Sequence, residues 1–383
     1  MRLQAKPNHQ LSDFTIKILI ASFLAQIMVV AIHHFGYVHK DFSQIGLTLD
    51  NKPITSYLAG YMYRFSIGMG IVTFFVIAGY LFFTGFDKEN AYRRKVTSRL
   101  KTLGIPYLIW NFLASPWFTA ILLPVFALFM PWLGSARETS LLEIFMGTPP
   151  GFYPANAPLW FVRELLIVCI ISPILWKLIN NRHGYVFLII SFILWVTAAR
   201  YWWGGAENIT QAIFAFSLGG YWTTTSRSPF SFSGLTTVIA ATIAILLVAA
   251  EMYFELALNV IVGIKCIAGV IVIFGITSFI SRTRYAYLFA WLGEASFFIY
   301  ITHIIGRGEV SKLVISIVRP ESDLAALLTV FGIWAIIIVY TVATWALLRR
   351  FTPRLLNILL GGRLKKHISL TFNKTKALKI KKN

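Results

Sequence analysis

Charged residues are scarce in this 383-residue sequence: 13% are Asp, Glu, Lys or Arg, whereas 57% are hydrophobic. A water-soluble domain of this length needs far more charge to cover its surface, so the composition argues against a soluble globular protein. Apolar segments of about 17 to 25 residues, long enough to cross a bilayer as helices, recur instead from end to end. The sequence therefore predicts an all-α, polytopic integral membrane protein.

Cysteine is nearly absent, with two residues in the chain. Cys169 and Cys266 fall in different apolar segments, which favours packing roles and argues against a disulfide framework or a metal site. The sequence also has no Walker loop, dinucleotide-binding fingerprint or metal-ligand spacing. This argues against an ATP-driven pump and against a metalloenzyme, and we expect no metal. No cleavable signal is evident, so the first apolar segment is expected to stay as a helix.

Ten spans are predicted from the apolar segments, although the fifth and sixth are short for a bilayer about 30 Å thick. Their approximate bounds are Thr15 to Phe35, Leu58 to Phe83, Leu103 to Met130, Leu159 to Trp176, Tyr185 to Ala199, Ile209 to Trp222, Leu235 to Ala250, Leu256 to Ile280, Ala286 to Ile305, and Ala325 to Leu348. With the N-terminus inside, most of the 35 basic residues lie in inner segments. Loops rich in Lys and Arg are retained in the cytoplasm, so both termini are predicted there.

The net charge of +20 comes mostly from this topological bias and from a basic C-terminal segment, so we predict no nucleic-acid partner. We divide the chain into a transmembrane domain, residues 1–351, and a basic cytoplasmic tail, residues 352–383. The tail is expected to be solvated or to lie against anionic membrane lipids, where each basic residue contributes about 1 kcal/mol.

Ionisable side chains inside the membrane are the informative residues, because each costs at least about 2.5 kcal/mol and by default marks a functional site. The topology places His33 and His34 near the outer end of the first span, and Arg163, Glu164 and His303 in the same outer layer. Histidine can take a proton near neutral pH, a carboxylate can orient it, and arginine can hold an anionic oxygen. The alternative is that the charged residues form structural pairs and the histidines face lipid headgroups.

Three further intramembrane ions are predicted, one in the same outer layer as Arg163 and Glu164 and two near the midplane. Arg64 is expected roughly 9 Å below the outer face, from the helical rise of 1.5 Å per residue. Lys265 and Glu294 are both expected near the midplane, where we predict that they form a structural ion pair.

A basic cluster lies on the opposite, cytoplasmic side of the predicted topology, before the third span. Its density exceeds what a topology signal needs, and clustered guanidinium and ammonium groups suit a polyphosphorylated ligand such as a nucleotide-bearing cofactor. The cluster consists of Lys88, Arg93, Arg94, Lys95, Arg99 and Lys101.

Several segments together resemble the signature segments of the membrane acyltransferase-3 family. They are "MVVAIHH", which ends the first predicted helix, "TFFVIAGYLFF" (Thr73 to Phe83), "RLKTLGIPYLIWN" (Arg99 to Asn111), "PLWFVRELLI" (Pro158 to Ile167) and "SFFIYITH" (Ser296 to His303). The resemblance runs in order from about residue 15 to 348. It identifies residues 1–351 as an acyltransferase-3-like transmembrane domain.

This resemblance implies an activity and a location. Members of the family use cytoplasmic acyl-CoA, commonly acetyl-CoA, to acylate a hydroxyl of a sugar or glycan at the outer face. We therefore expect acyl-CoA as the donor substrate, a cell-surface polysaccharide or a lipid-linked sugar as the acceptor, and a place in the bacterial inner (plasma) membrane.

The resemblance also carries over site residues. It implies His33 as the general base, His303 as the histidine of the "IYxxH" pattern, and Arg163 and Glu164 by their place after "LWF". We expect His303 or Glu164 to orient His33 and Arg163 to stabilise the oxyanion. Arg99 is implied on the donor side, and we expect the neighbouring basic residues Lys95, Lys101 and Arg94 to hold the CoA phosphates with it.

Two positions depart from the family pattern. The family usually has Arg or Lys about eleven positions before the first-helix histidine, and here that position is Ser22. The basic partner is therefore displaced to Lys17, replaced by a residue from another helix, or absent. Ala78 stands where the family has a serine.

Other activities stay open at this point. Ser22 or Tyr300 could carry the acyl group covalently in a two-step reaction. A proton-coupled transporter or flippase of an anionic or glycosylated solute is the main alternative, because buried Arg, Glu and His also build proton pathways. An inactive membrane scaffold is a third possibility.

Overall fold

Helices connected by turns and loops make up the part of the chain that a computed structural model describes, residues 12–115, 118, 140–147, 153–201, 206–254 and 259–364. Those residues form no strand. The α-helices are α1 Asp13–Phe35, α2 Val38–Ser43, α3 Pro53–Ser66, α4 Met69–Phe83, α5 Ala91–Arg99, α6 Ile105–Leu113, α7 Leu141–Met146, α8 Trp160–Ile170, α9 Ser172–Ile179, α10 Gly184–Tyr201, α11 Ala206–Thr224, α12 Gly234–Tyr253, α13 Asn259–Ile280, α14 Ala286–Glu294, α15 Ser296–Thr302, α16 Arg307–Val318, α17 Asp323–Phe351 and α18 Pro353–Leu359. A π-helical turn, Leu100–Gly104, joins α5 to α6.

Local sequence signals begin several of the long helices. Ser12, Ser233 and Ser322 cap α1, α12 and α17, and each side chain accepts a hydrogen bond from a backbone N–H in the first turn. These caps satisfy amide groups that have no partner within the helix. The apolar sequence that follows each cap suits a helix in lipid, where backbone groups must bond to one another.

Membrane-spanning length and composition are met by five helical segments: α1, Pro53–Phe83, α12, α13 and α17. The bent pair formed by Ala157–Ile170 and α9, with an angle of 68°, makes a sixth if it is counted as one span. This confirms a multi-pass helical protein. Ten spans and two cytoplasmic termini stay predictions, and the second half of the predicted third span lies outside the described residues.

Several predicted spans are interrupted, and the interruptions lie beside polar residues. The predicted span from Leu58 to Phe83 is divided into α3 and α4 at Ile67 and Gly68. The predicted ninth span is divided into α14 and α15 at Ala295, directly after Glu294, and α15 ends one residue before His303. Helix ends leave backbone groups free to bond to side chains or ligands.

Close packing holds the central helices together. A Cβ atom added to Gly79 on α4 would collide with the backbone carbonyl of Phe216 on α11. The absence of a side chain therefore lets these two helices approach more closely than larger residues allow. Phe75 and Phe82 on α4 and Phe216 on α11 are fully buried in the main hydrophobic core.

The direction of the helices defines two ends of the bundle. Helix α1 runs parallel to α14 and α15, because Leu19 lies against Gly293 while the ring of His33 lies against that of His303. Helix α17 runs the opposite way, with its first half beside His34 and Arg349 at its last turn. We call the two ends the histidine end (His33, His303) and the arginine end (Arg99, Arg349, Arg363).

The predicted pairing of Lys265 with Glu294 is wrong. Lys265 on α13 pairs with Glu251 on α12, with 2.7 Å between Nζ and Oε2, and both side chains are buried. Glu294 instead accepts a hydrogen bond from Arg349. The sequence gives the depth of each group along its helix, but the neighbouring helix that it faces depends on the packing of the whole bundle.

The chain continues in ordered contact with the bundle beyond α17. Leu356 and Leu360 are buried, and the indole Nε1 of Trp110 donates to the carbonyl of Leu359 at 3.0 Å. Residues Thr15 and Arg363 line the same cavity. The two ends of the described chain therefore lie together, at the arginine end.

Candidate active site

Two histidines from different helices meet at the histidine end of the bundle. The ring centroids of His33 and His303 are 5.0 Å apart, with an angle of 51° between the ring planes. His33 lies two residues before the end of α1, and His303 caps the C-terminus of α15. His303 is fully buried, whereas His33 is half-buried. The structure thus brings together two of the four predicted catalytic residues.

The ring of His303 is held in one orientation. Its Nδ1 lies 2.9 Å from the carbonyl oxygen of Tyr300 and 3.1 Å from that of Ile299. Carbonyl oxygens only accept hydrogen bonds, so these contacts require a proton on Nδ1 and leave a lone pair on Nε2 of the neutral ring. Nε2 has no hydrogen-bond partner among the described residues. His303 therefore presents an acceptor atom beside the ring of His33.

His34, the neighbour of His33, has a different environment. It is buried, and its Nε2 lies 2.8 Å from the carbonyl oxygen of Val330. This contact ties the end of α1 to α17. His34 is thus engaged with the scaffold, while His33 points toward His303.

An ion pair lies close to the two histidines. Arg307, the first residue of α16, donates to both carboxylate oxygens of the buried Asp41, at 2.6 and 3.3 Å. Its guanidinium also lies 4.8 Å from the ring centroid of Tyr37. Arg307 is near enough to interact electrostatically with His33 and with His303.

Arg163 and Glu164 form a pair of their own on α8. Nε and Nη2 of Arg163 donate to Oε1 of Glu164 at 3.0 and 2.8 Å, and Nη1 donates to the carbonyl of Met146 at 2.7 Å. Within the described part of the chain, no hydrogen bond or ring contact joins Glu164 to either histidine. The predicted layer is therefore divided into a histidine pair and an Arg–Glu pair.

A cavity of about 350 Å³ opens at the arginine end. Ser22 and Ala78, the two positions that depart from the family pattern, both lie in its wall. Ser22 donates to the carbonyl of Ile18 at 2.8 Å. Tyr300 also lines the cavity, and it donates to the carbonyl of Pro158. Since Tyr300 precedes His303 by three residues, this part of the cavity wall lies about one helical turn from the histidine pair.

The cavity wall carries more positive than negative charge. Arg99, Arg349 and Arg363 line it together with one carboxylate, Glu294. Arg349 pairs with Glu294 and also lies 5.0 Å from the ring centroid of Trp345. Basic residues from the end of α17 and from the segment after α18 thus share the cavity with Ser22.

The other predicted donor-binding residues lie elsewhere. Arg94 and Lys101 are exposed, and neither lines the cavity. Lys95 donates to the carbonyl of Thr84 at 2.8 Å, at the end of α4. Burial lowers the pKa of the Lys95 ammonium, and the nearby positive charge of Arg99 lowers it further. Of the four, only Arg99 reaches the cavity.

A wide open groove of about 770 Å³ lies at the histidine end. Phe35 and Gly36, which directly follow the two histidines of α1, form part of its wall. Its polar and aromatic lining includes His39, Tyr57 and Arg64. The predicted intramembrane Arg64 is therefore exposed in this groove.

Four residues of these sites were not predicted from the sequence. From the sequence, Arg349 is interpreted as the positive charge that ends a span, and Arg363 as part of a basic tail. The only sequence signal for Arg363 is the Gly-Gly turn before it. Asp41 and Arg307 lie in predicted outer loops, and their partnership joins positions that are 266 residues apart.

This chain is similar to a family model and to a known protein. A family model described as "Acyltransferase domain" matches residues 23–350. The chain is also similar to the succinoglycan biosynthesis protein ExoH of Rhizobium meliloti (strain 1021), with 24% identity over 351 residues, covering 88% of this chain and 90% of that protein. No solved structure matches the chain.

Proposed function

This chain belongs to the acyltransferase family, and from that premise we propose that it transfers an acyl group, most simply acetyl, from cytoplasmic acyl-CoA to a hydroxyl of a cell-surface polysaccharide or glycolipid. The relative from Rhizobium meliloti is named for succinoglycan biosynthesis, which supports a polysaccharide acceptor. We place the enzyme in the bacterial inner membrane, with the arginine end facing the cytoplasm.

The observation that carries this proposal is the short separation between the histidine pair and the arginine-lined cavity. Tyr300 lines that cavity, and His303 lies about one turn further along the same segment, against His33. A donor with a negatively charged head and a long thin arm fits such an arrangement. The head stays among the arginines, and the arm brings the thioester toward the imidazoles.

The two imidazoles supply the proton chemistry. With His303 Nδ1–H bonded to carbonyls, its unpartnered Nε2 can accept an N–H from His33 when that ring turns toward it, which leaves the lone pair of the second His33 nitrogen for the substrate. That nitrogen takes the proton of the sugar hydroxyl while the oxygen attacks the thioester carbonyl. A C–O bond forms, the C–S bond breaks, and the CoA thiolate leaves and takes the proton from His33.

The acceptor enters from the histidine end in this proposal. Phe35 and Gly36, two and three residues after His33, lie in the wall of the groove there, and we propose that a hydroxyl held in it reaches the base. Aromatic rings and polar groups such as those of Tyr57 and Arg64 suit the faces and hydroxyls of a sugar.

We retain roles for the other predicted residues. Arg163 and Glu164 are proposed to act at the thioester carbonyl, with Arg163 as the oxyanion ligand, because the pair lies on α8 just beyond Phe161 in the cavity wall. Arg99 is proposed to bind CoA phosphate. Arg94, Lys95 and Lys101 are proposed to draw the anionic donor to the mouth by charge.

The test is an acyl-transfer assay with the purified full chain in proteoliposomes. Acyl-CoA is supplied on one side and a glycan acceptor on the other, and free thiol and acylated acceptor are both measured. The proposal expects the two products in equal amounts. A transporter moves solute without releasing thiol, and a scaffold does neither. Mass analysis of surface glycans from cells with and without the gene identifies the acceptor.

A further inference from the structure

The segment after α18 is folded back onto the mouth of the cavity by a tight turn. Gly361 and Gly362 both have positive φ, 63° and 79°. A Cβ atom on Gly361 would lie 2.8 Å from Pro106 Cδ and 2.8 Å from the carbonyl oxygen of Thr102. Only glycine combines that backbone conformation with that approach. The turn therefore fixes the residue that follows it, Arg363, over the π-helical turn between α5 and α6.

Arg363 is held by packing rather than by a counter-charge. Its Nε donates to the carbonyl of Thr102 at 3.1 Å, and its guanidinium lies 3.7 Å from the ring centroid of Phe297. Stacking on an aromatic ring orients the plane of the guanidinium and leaves its edge available for a ligand. Phe297 and Arg363 both line the cavity.

The charges of the cavity are not balanced within the described part of the chain. Three guanidinium groups face one carboxylate, and Glu294 is paired with Arg349. No salt bridge to a carboxylate involves Arg99 or Arg363 among the described residues. Burial lowers the pKa of the Arg363 guanidinium, and the positive charge of Arg99 lowers it further, because the two like charges repel. An anion bound between the guanidinium groups of Arg99 and Arg363 offsets this repulsion.

We propose that Arg363, together with Arg99 and Arg349, binds the phosphate groups of the acyl donor. The C-terminal segment is thus part of the donor site. This inference rests on the proposed function, since it takes the donor to be acyl-CoA. It goes further by assigning the site to a residue beyond those that the family match covers. Guanidinium forks bind phosphate oxygens through paired, charge-assisted hydrogen bonds.

The experiment compares two donors in the full chain. One is acyl-CoA, and the other is S-acyl pantetheine, a thioester that has the same arm without phosphates. Arg363→Gln is expected to raise KM for acyl-CoA about tenfold while leaving KM for the phosphate-free donor unchanged. Arg354→Gln is the matched control, because it removes the same charge from an exposed position in α18, shortly before that segment. It is expected to change neither constant.

Several outcomes would overturn the inference. They are an unchanged KM for acyl-CoA in Arg363→Gln, an equal rise in KM for both donors, and an effect that disappears when anionic lipids are left out of the vesicles. The last result assigns Arg363 to a lipid headgroup phosphate. If Arg363→Gln is not monodisperse, Arg363→Lys, which keeps the charge and loses the fork, is expected to give a smaller rise for acyl-CoA alone. Failure of the wild-type chain to bind or use acyl-CoA overturns the proposed donor as well.

Discussion

The two imidazoles at the histidine end differ in how firmly they are held. Two backbone carbonyls fix the ring of His303, whereas the described contacts of His33 consist of packing against that ring. The ring of His303 is fixed, and the ring of His33 can turn toward the substrate. This arrangement divides orientation and proton transfer between the two residues. We therefore propose His303 as a positioning residue and His33 as the base.

Replacing His33 tests this division. His33→Ala is expected to lower kcat for acyl transfer by roughly a factor of 1,000, the usual range for a lost general base. The melting temperature is expected to stay close to wild type, because the side chain is half-buried and holds no backbone group. The measurements are thiol release and thermal unfolding of the purified protein.

His34→Ala is the control, and it is expected to reverse the pattern. The variant loses the hydrogen bond from His34 to the Val330 carbonyl. That buried carbonyl is then left without its partner, which is destabilising. Stability is expected to fall while the remaining folded protein stays active. Equal kcat in His33→Ala and wild type contradicts the assignment of the base.

Helix geometry determines which features of individual residues the sequence can predict. Depth along a span is read from residue number, so the layer shared by His33 and His303 is predictable. The direction in which a side chain points is set by packing, and the wrong partner given to Lys265 reflects this. Arg363 shows a second limit, since its bond to Thr102 joins residues 261 positions apart in a segment that reads as tail.

Among the elements, the Gly-Gly turn is the feature on which the proposed donor site depends. Gly361→Ala places a side chain at φ 63° and against Pro106. If the turn keeps its shape, this strain lowers the stability of the protein by about 1 to 3 kcal/mol. The turn is expected to relax instead and to move Arg363. KM for acyl-CoA is then expected to rise, with kcat at saturation little changed.

Gly332→Ala, in the middle of α17, is the control for Gly361→Ala. A Cβ at Gly332 meets nothing within 4 Å, and alanine favours the helix. Donor KM is expected to be unchanged there. A Gly361→Ala enzyme with wild-type KM contradicts the role of the turn in placing Arg363.

The ion pair between α12 and α13 is the second feature at this scale. Lys265→Met leaves Glu251 buried without a counter-charge, and breaking such a pair typically costs about 3 kcal/mol or more. We expect a large loss of stability in thermal unfolding in detergent. The double variant Lys265→Met, Glu251→Leu is expected to recover much of that loss, because no buried charge remains.

Lys312→Met provides the comparison for the buried pair. Lys312 lies 3.6 Å from Glu309 at an exposed site, and exposed pairs contribute little. Its melting temperature is expected to match wild type. Similar losses in Lys265→Met and Lys312→Met contradict a structural role for the buried pair.

For the whole molecule, the common location of Thr15 and Arg363 predicts that both ends of the described chain face the same side of the membrane. Both native cysteines are buried, so an introduced cysteine can be labelled selectively. Arg354→Cys, at the arginine end, is expected to react with an impermeant reagent only after cells are opened. Asn51→Cys, in the exposed loop before α3, is expected to react in intact cells.

The pattern of labelling decides the topology. Reaction of both cysteines under the same condition contradicts the predicted orientation.

The composition was sufficient to predict a multi-pass helical protein, because an apolar segment in lipid has few other conformations. The number of spans is harder to predict, since short and interrupted segments such as α14 and α15 do not reach spanning length separately.

The separation of the cavity from the groove has a consequence for the order of binding. Ser22 in the cavity wall and His33 beside the groove are about 16 Å apart along α1, at 1.5 Å per residue. In the proposed mechanism the donor head and the acceptor therefore occupy different spaces, and we expect them to bind in either order. Initial-rate plots are expected to intersect, and free CoA is expected to compete with acyl-CoA but not with the glycan. Parallel plots indicate instead that the acyl group rests on the protein between two half-reactions.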